Sequence, residues 1–195
     1  MPKRENGYLP LRDYALLGDC HGAALVGRDG AVDWFCPARF DAQPACWALL
    51  DAAQGARFSI APSGPFESKR AYLDGTNILC TTFESPSGSV TLTDFLPVRS
   101  AAGTEQPFVD LEAPGWLVRV VEAGDSPCDL ELNFDPGTCV FDPEAGDPPD
   151  MQLFRQNASS TGRESSILSL AAGERRAFIL APATADVEKP DAQAE

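Results

Sequence analysis

The first third of the chain holds most of the side chains able to act on a polar substrate. Asp13, Asp19, Asp33 and Asp41 are interleaved with apolar runs, and Arg39 stands two residues before Asp41. Glycoside hydrolysis uses two carboxyl groups flanking the scissile bond, one as acid and one as base or nucleophile. These four aspartates could in principle supply such a pair. His21, the only histidine, could act as a general acid or base. It lacks a serine–aspartate partner pattern or nucleophile elbow, so a hydrogen-bonded structural role is the plainer reading. Trp34, Arg39, Phe40 and Asp41 form a sharper group, since aromatic faces with planar hydrogen-bonding side chains are how small-molecule sites are built. In one reading the loop after Pro37 reaches outward toward a ligand. In the other, Trp34 and Phe40 are core and Arg39 pairs with a nearby aspartate.

No spacing of cysteines with the histidine fits zinc, and no glycine-rich stretch has the order of a phosphate loop. The sequence therefore predicts no metal and no cofactor. A net charge of −14 over 195 residues argues against a nucleic-acid or anionic-membrane partner. No run approaches the ~18 apolar residues of a membrane span. Lys3 and Arg4 are not followed by an apolar stretch, so no secretory leader is expected. The six cysteines (Cys20, Cys36, Cys46, Cys80, Cys128 and Cys139) are widely spaced and mostly within apolar runs. They read as reduced thiols of a cytoplasmic protein.

The elements that must position these residues are strands. Ala24-Leu25-Val26 and Ala31 to Phe35 flank Asp29-Gly30, which predicts a hairpin closed by a type I′ turn. Residues 41–53 read as a short helix, with a compact loop as the alternative. A strand at 57–61 follows. Residues 77–84 and 89–96 form a second hairpin about Ser85-Pro86-Ser87-Gly88. Strands at 116–122 and 129–134, close together across Gly124 to Pro127, read as a third hairpin. A Pro, Gly and acid-rich connection at 135–150 precedes weaker strands at 151–156, 166–170 and 175–180. Many short strands with Pro/Gly turns and scarcely any helix give an all-β, antiparallel two-sheet sandwich with at most one or two short helices. It occupies residues 1–180 as a single domain, and 181–195 read as a disordered tail or linker.

The opening segment also carries a resemblance. Tyr8-Leu9-Pro10-Leu11, Asp13-Tyr14, Leu17-Gly18-Asp19-Cys20, Ala23 to Val26, Asp29-Gly30, Val32-Asp33-Trp34, Cys36 and Arg39-Phe40-Asp41 stand in an ordered series. Leu49-Leu50-Asp51, Ile60-Ala61-Pro62, Thr76 to Leu79 and Thr93 to Pro97 continue it. This series resembles the start of bacterial glucoamylase-like and trehalase-like proteins of glycoside hydrolase family 15. It departs at His21-Gly22, where the pattern has Arg-Thr, and at Ala42-Gln43, where Ser or Thr precedes the proline.

The resemblance implies an N-terminal super-β-sandwich, with the chemistry in a following barrel of helices whose acid and base are glutamates. No segment here matches that barrel. The resemblance thus implies a non-catalytic accessory domain of an inverting α-glucoside hydrolase, packed on a helical barrel in the same or a separate polypeptide. Trp34, Arg39, Phe40, Asp41 and His21 become the candidates for facing that barrel or its substrate pocket. A stand-alone carbohydrate- or protein-binding module is the other reading.

Overall fold

The computed structural model describes residues 2–101, 103, 105, 111–137, 149–156 and 158–184. A 3-10 turn (Leu11–Asp13) leads into β1 (Tyr14–Gly18), β2 (Ala23–Gly27), β3 (Ala31–Cys36), β4 (Arg57–Pro62) and β5 (Glu67–Tyr72). Then come β6 (Leu79–Ser85), β7 (Gly88–Phe95), β8 (Arg99–Ser100), β9 (Leu111–Glu112) and β10 (Leu117–Ala123). The last are β11 (Cys128–Asp135), β12 (Met151–Arg155), β13 (Ala158–Ser160), β14 (Glu164–Leu170) and β15 (Arg175–Pro182). A six-stranded sheet in the order β1-β2-β3-β4-β11-β14 faces a seven-stranded sheet in the order β13-β12-β15-β10-β7-β6-β5. Their paired strands are antiparallel throughout, so the expected sandwich is the observed fold.

Alternation explains the core. On β11, Leu130, Leu132 and Phe134 point inward while Asp129 and Glu131 face out. Phe58 and Phe134 meet edge to face at 6.0 Å, as do Phe66 and Phe83 at 5.0 Å. A buried ion pair ties the two layers together. Arg119 on β10 donates through Nε to Asp94 Oδ1 of β7 at 2.8 Å, both side chains being fully buried. The same guanidinium reaches across to the carbonyls of Phe58 (3.1 Å) and Gly30 (2.8 Å) on the other layer, and lies 4.8 Å from the centre of the Phe58 ring. Every charge is answered, which is what makes such burial tolerable.

Three local expectations are corrected. The β2–β3 hairpin exists, but its turn is centred on Arg28 and Asp29, neither at positive φ, with Gly30 alone at φ +78. Gly30 N–H donates to the Gly27 carbonyl at 2.9 Å. This is the three-residue loop whose last residue is left-handed, not a type I′ turn. The register requires it, because a Cβ on Gly30 would lie 2.1 Å from the Ile60 carbonyl oxygen.

Residues 41–53 do not form a helix. Phe35 N–H donates to the Cys46 carbonyl at 2.9 Å, and Ala45 N–H returns to the Phe35 carbonyl at 2.6 Å, holding the segment as a bridge beside β3. The Asp51 carboxylate then accepts from the backbone of Ala53 and Gln54 (2.9 and 3.0 Å), making a turn where a helix would continue.

The third hairpin is also absent. β10 pairs with β7 and β15, whereas β11 pairs with β4 and β14, so the chain crosses between sheets at Gly124. There Gly124 N–H donates to the Ser89 carbonyl at 2.8 Å and Gly173 N–H to the Gly124 carbonyl at 2.9 Å. At the C-terminal side β15 runs on through Ala181 and Pro182, with Ala181 fully buried. The acidic connection lies mostly outside the described residues (138–148), as do Cys139 and the tail from 185.

Candidate functional site

The candidate residues gather at one end of the sandwich. The end of β1 lies beside the start of β2 and the end of β3, through Gly18 opposite Ala23 and Ala23 opposite Cys36. In the other sheet Tyr72 at the end of β5 faces Leu79, and Leu79 faces Asp94 near the end of β7. The Tyr72 hydroxyl donates to the Leu16 carbonyl, and the Asn77 amide to the Gly18 carbonyl, each at 2.7 Å. Both sheets therefore present these termini at the same end, and β15 finishes there too, with Leu180 opposite Leu117 at the start of β10.

Two loops meet at that end. Asp19 is buried and its Oδ1 accepts from the backbone of His21 (3.0 Å) and Gly22 (2.6 Å), folding the β1–β2 connection into a tight turn. Its Oδ2 is buried without a hydrogen-bond partner among the described residues. Gly22 packs so closely on the β3 exit that a Cβ would come within 2.5 Å of the Cys36 carbonyl oxygen, which suits the departure from threonine here. The His21 carbonyl accepts from Phe40 N–H at 2.9 Å, joining this turn to the loop after β3. His21 is exposed, with Nδ1 3.4 Å from the Asp19 carbonyl oxygen.

Arg39 grips Asp41 with both arms of its fork, Nε to Oδ1 at 2.9 Å and Nη2 to Oδ2 at 2.6 Å. That hydrogen bonding holds the Asp41 carboxyl below its ordinary value and the Arg39 guanidinium above its own. The pair is exposed, and Phe40 between them is 70% exposed. Phe40 is thus not core, while Arg39 does pair with a neighbouring aspartate. Trp34 sits half-buried on β3 opposite Leu25. The structure brings His21, Arg39, Phe40 and Asp41 into one exposed constellation and leaves Trp34 on the adjoining strand.

The remaining carboxylates are held internally. Asp33, fully buried, accepts from Arg57 Nε (2.5 Å), Arg4 Nη1 (2.8 Å) and the Tyr14 hydroxyl (2.5 Å). Burial, with the bond to Asp33 second, drives the Tyr14 hydroxyl pKa well above the ordinary phenol. Asp13 pairs with Arg28 at 3.6 Å. The Asp94–Arg119 pair was not singled out from sequence, yet alternation marks it: Arg119 shares the inward face of Leu117 and Val121. A cleft at the opposite end is lined by Pro62, Pro65, Ser85, Pro86 and Pro127, and has no aromatic wall to hold a sugar.

Comparison with known proteins places the chain in a family. Residues 6–128, well over half of the chain, match the family model described as trehalase-like, N-terminal. The chain belongs to the trehalase-like N-terminal family. It is 30% identical over 144 residues to the trehalase of Mycolicibacterium smegmatis, covering 69% of this chain and 21% of that protein. It is 30% identical over 140 residues to the trehalase of Mycobacterium tuberculosis, covering 67% and 20%. The trehalase of Thermoplasma volcanium is 29% identical over 134 residues, covering 67% and 20%. The chain thus spans about a fifth of the length of these curated relatives, 20–21% of each. No solved structure matches it. The family's matched region includes both loops of the exposed constellation.

Proposed function

We propose that this chain is the non-catalytic N-terminal accessory domain of an α-glucoside hydrolase of the trehalase and glucoamylase type, in glycoside hydrolase family 15. It packs on a helical catalytic barrel and helps shape its substrate pocket. The observation that carries this reading is the fate of the carboxylates. Asp13, Asp33 and Asp41 are each held by an arginine, and Asp19 is folded into its own turn. Glycoside hydrolysis needs two carboxyl groups free to face one bond.

The relatives' trehalase activity supports an α-glucoside as the substrate class of the complete enzyme. The exposed Arg39–Phe40–Asp41 loop, with His21 beside it, is the part that reaches the barrel. A guanidinium fork prealigned by a carboxylate presents fixed donors to sugar hydroxyls, and Phe40 offers an aromatic face. The free state of Cys20, Cys36, Cys46, Cys80 and Cys128 supports a reducing, cytoplasmic location.

The test is direct. The isolated chain should release no glucose from trehalose, maltose, isomaltose or soluble starch, whereas the polypeptide carrying the barrel should. Turnover by the isolated chain that disappears in Asp33→Asn or Asp41→Asn would refute the reading.

A further inference from the structure

The corner where the 3-10 turn, the β2–β3 turn and β5 meet, we infer, is a binding site for a doubly charged oxyanion. These three elements supply Arg12, Arg28 and Arg70 in turn. Bonds to the backbone bring them together. Arg28 N–H donates to the Asp13 carbonyl at 2.9 Å. Arg70 donates through Nη1 to the Val26 carbonyl (3.1 Å) and through Nη2 to the Arg12 carbonyl (3.5 Å). The corner lies at the end of the sandwich away from the Arg39 loop, because β2 begins beside that loop and ends at Gly27, just before Arg28.

The charges there are out of balance. Among the described residues neither Arg12 nor Arg70 forms an ion pair. Arg28 has only Asp13, at 3.6 Å, and its Nε is buried with no hydrogen-bond partner among the described residues. Asp29 and Asp33 alongside are taken by Arg4 and Arg57. The linked network therefore sets five guanidinium groups (Arg4, Arg12, Arg28, Arg57 and Arg70) against three carboxylates (Asp13, Asp29 and Asp33). Burial, with repulsion from Arg28 second, holds the Arg70 guanidinium below its ordinary value.

The chain as a whole carries a net charge of −14, so a corner with two positive charges left over runs against its field. Solvation accounts for Arg12, which is exposed, but not for Arg70, which is half-buried beside a second cation. Like charges brought together out of water repel unless an anion stands among them. The size of the excess sets the class of ligand: a dianion cancels it, and chloride does not. Guanidinium forks match the paired oxygens of such an ion. Two carbonyls already hold Arg70 in place, so little of its freedom remains to be lost on binding.

Proton–nitrogen NMR of the arginine Nε–H groups tests the site in the 195-residue chain, without any catalytic barrel. Sodium sulfate and sodium malonate are titrated separately, with ionic strength held constant by sodium chloride so that screening does not change. The Nε–H signals of Arg12, Arg28 and Arg70 should move saturably with at least one of the two dianions, while that of Arg39 at the far loop stays still. Tighter binding of sulfate would make the ligand a tetrahedral dianion, and tighter binding of malonate a pair of carboxylates; either supports the site. Arg70→Gln and Arg12→Gln should each weaken binding about tenfold or more, the loss expected for one charge-assisted hydrogen bond. Arg70 also supports the backbone, so if Arg70→Gln loses its cooperative melt, exposed Arg12→Gln decides. Linear shifts shared by Arg39, no shift with either dianion, or wild-type affinity in folded Arg12→Gln would each overturn the inference.

Discussion

Arg39 and Asp41 sit where substrate recognition and scaffolding make opposite predictions. Both are solvent-exposed, and exposed pairs contribute little to stability. Arg39→Ala in the complete enzyme should therefore leave the melting temperature unchanged and lower kcat/KM by about tenfold or more, if the fork addresses sugar or barrel. A lowered melting temperature with unchanged kcat/KM would return the loop to the scaffold. The Asp41 carboxyl, depressed by its bond to Arg39, should titrate below its ordinary value of 3.8. The pair then persists above that value and is lost only as pH falls through the depressed one. A carboxyl-carbon NMR titration should show this midpoint, and Arg39→Ala should raise it toward 3.8. The thiols divide by burial. Burial pushes Cys36 to about 11, with the Asp41 charge adding to it, and pushes Cys46 to about 12. At pH 8 roughly one Cys36 in a thousand is thiolate, so alkylation of the native protein should spare both and reach exposed Cys20 first. Equal rates at Cys20 and Cys46 would contradict the described packing.

At the scale of elements, the β2–β3 turn and β10 carry the sharpest constraints. Gly30→Ala places an L-residue at φ +78 with its Cβ against the Ile60 carbonyl. The left-handed conformation alone costs about 1–2 kcal/mol, and the collision adds to it. Denaturant unfolding should show at least that loss. A shift smaller than about 0.5 kcal/mol would be expected only of an ordinary surface site. Arg119→Ala would leave Asp94 buried and unpaired and strip donors from the Gly30 and Phe58 carbonyls. Breaking such a pair costs about 3–5 kcal/mol. In a domain of this size that corresponds to a fall of about 6–20 °C in melting temperature. Calorimetry reporting a change within about 2 °C would mean the pair contributes specificity without stability.

For the whole molecule the decisive strand is the last. β15 lies between β12 and β10 and brings Phe178, Leu180 and Ala181 to the core. Truncation after residue 184 should leave a cooperative melt, and truncation after Glu174 should abolish it, as circular dichroism would show. Most strands were legible because alternation such as Leu130-Glu131-Leu132 records a period of two directly in the residues. The hairpin at 79–95 was legible because Pro86 and Gly88 dictate a turn wherever the rest of the chain lies. The charged loop was legible only in part: Arg39 and Asp41 announced an ion pair, but whether Phe40 lay in the core or outward was left open until the fold exposed it. Alternation records that a strand has two faces, and it does not record which sheet receives it. Only the tertiary structure sent β10 and β11 to opposite layers, since both edges of each were claimed by strands distant in sequence. Only packing turned residues 41–53 into a bridge against Phe35, where local propensity allowed a helix. The partnership of Asp94 with Arg119 likewise needed the fold. The two residues are 25 apart in sequence and become neighbours only when β7 and β10 align. Burial then makes their pairing obligatory.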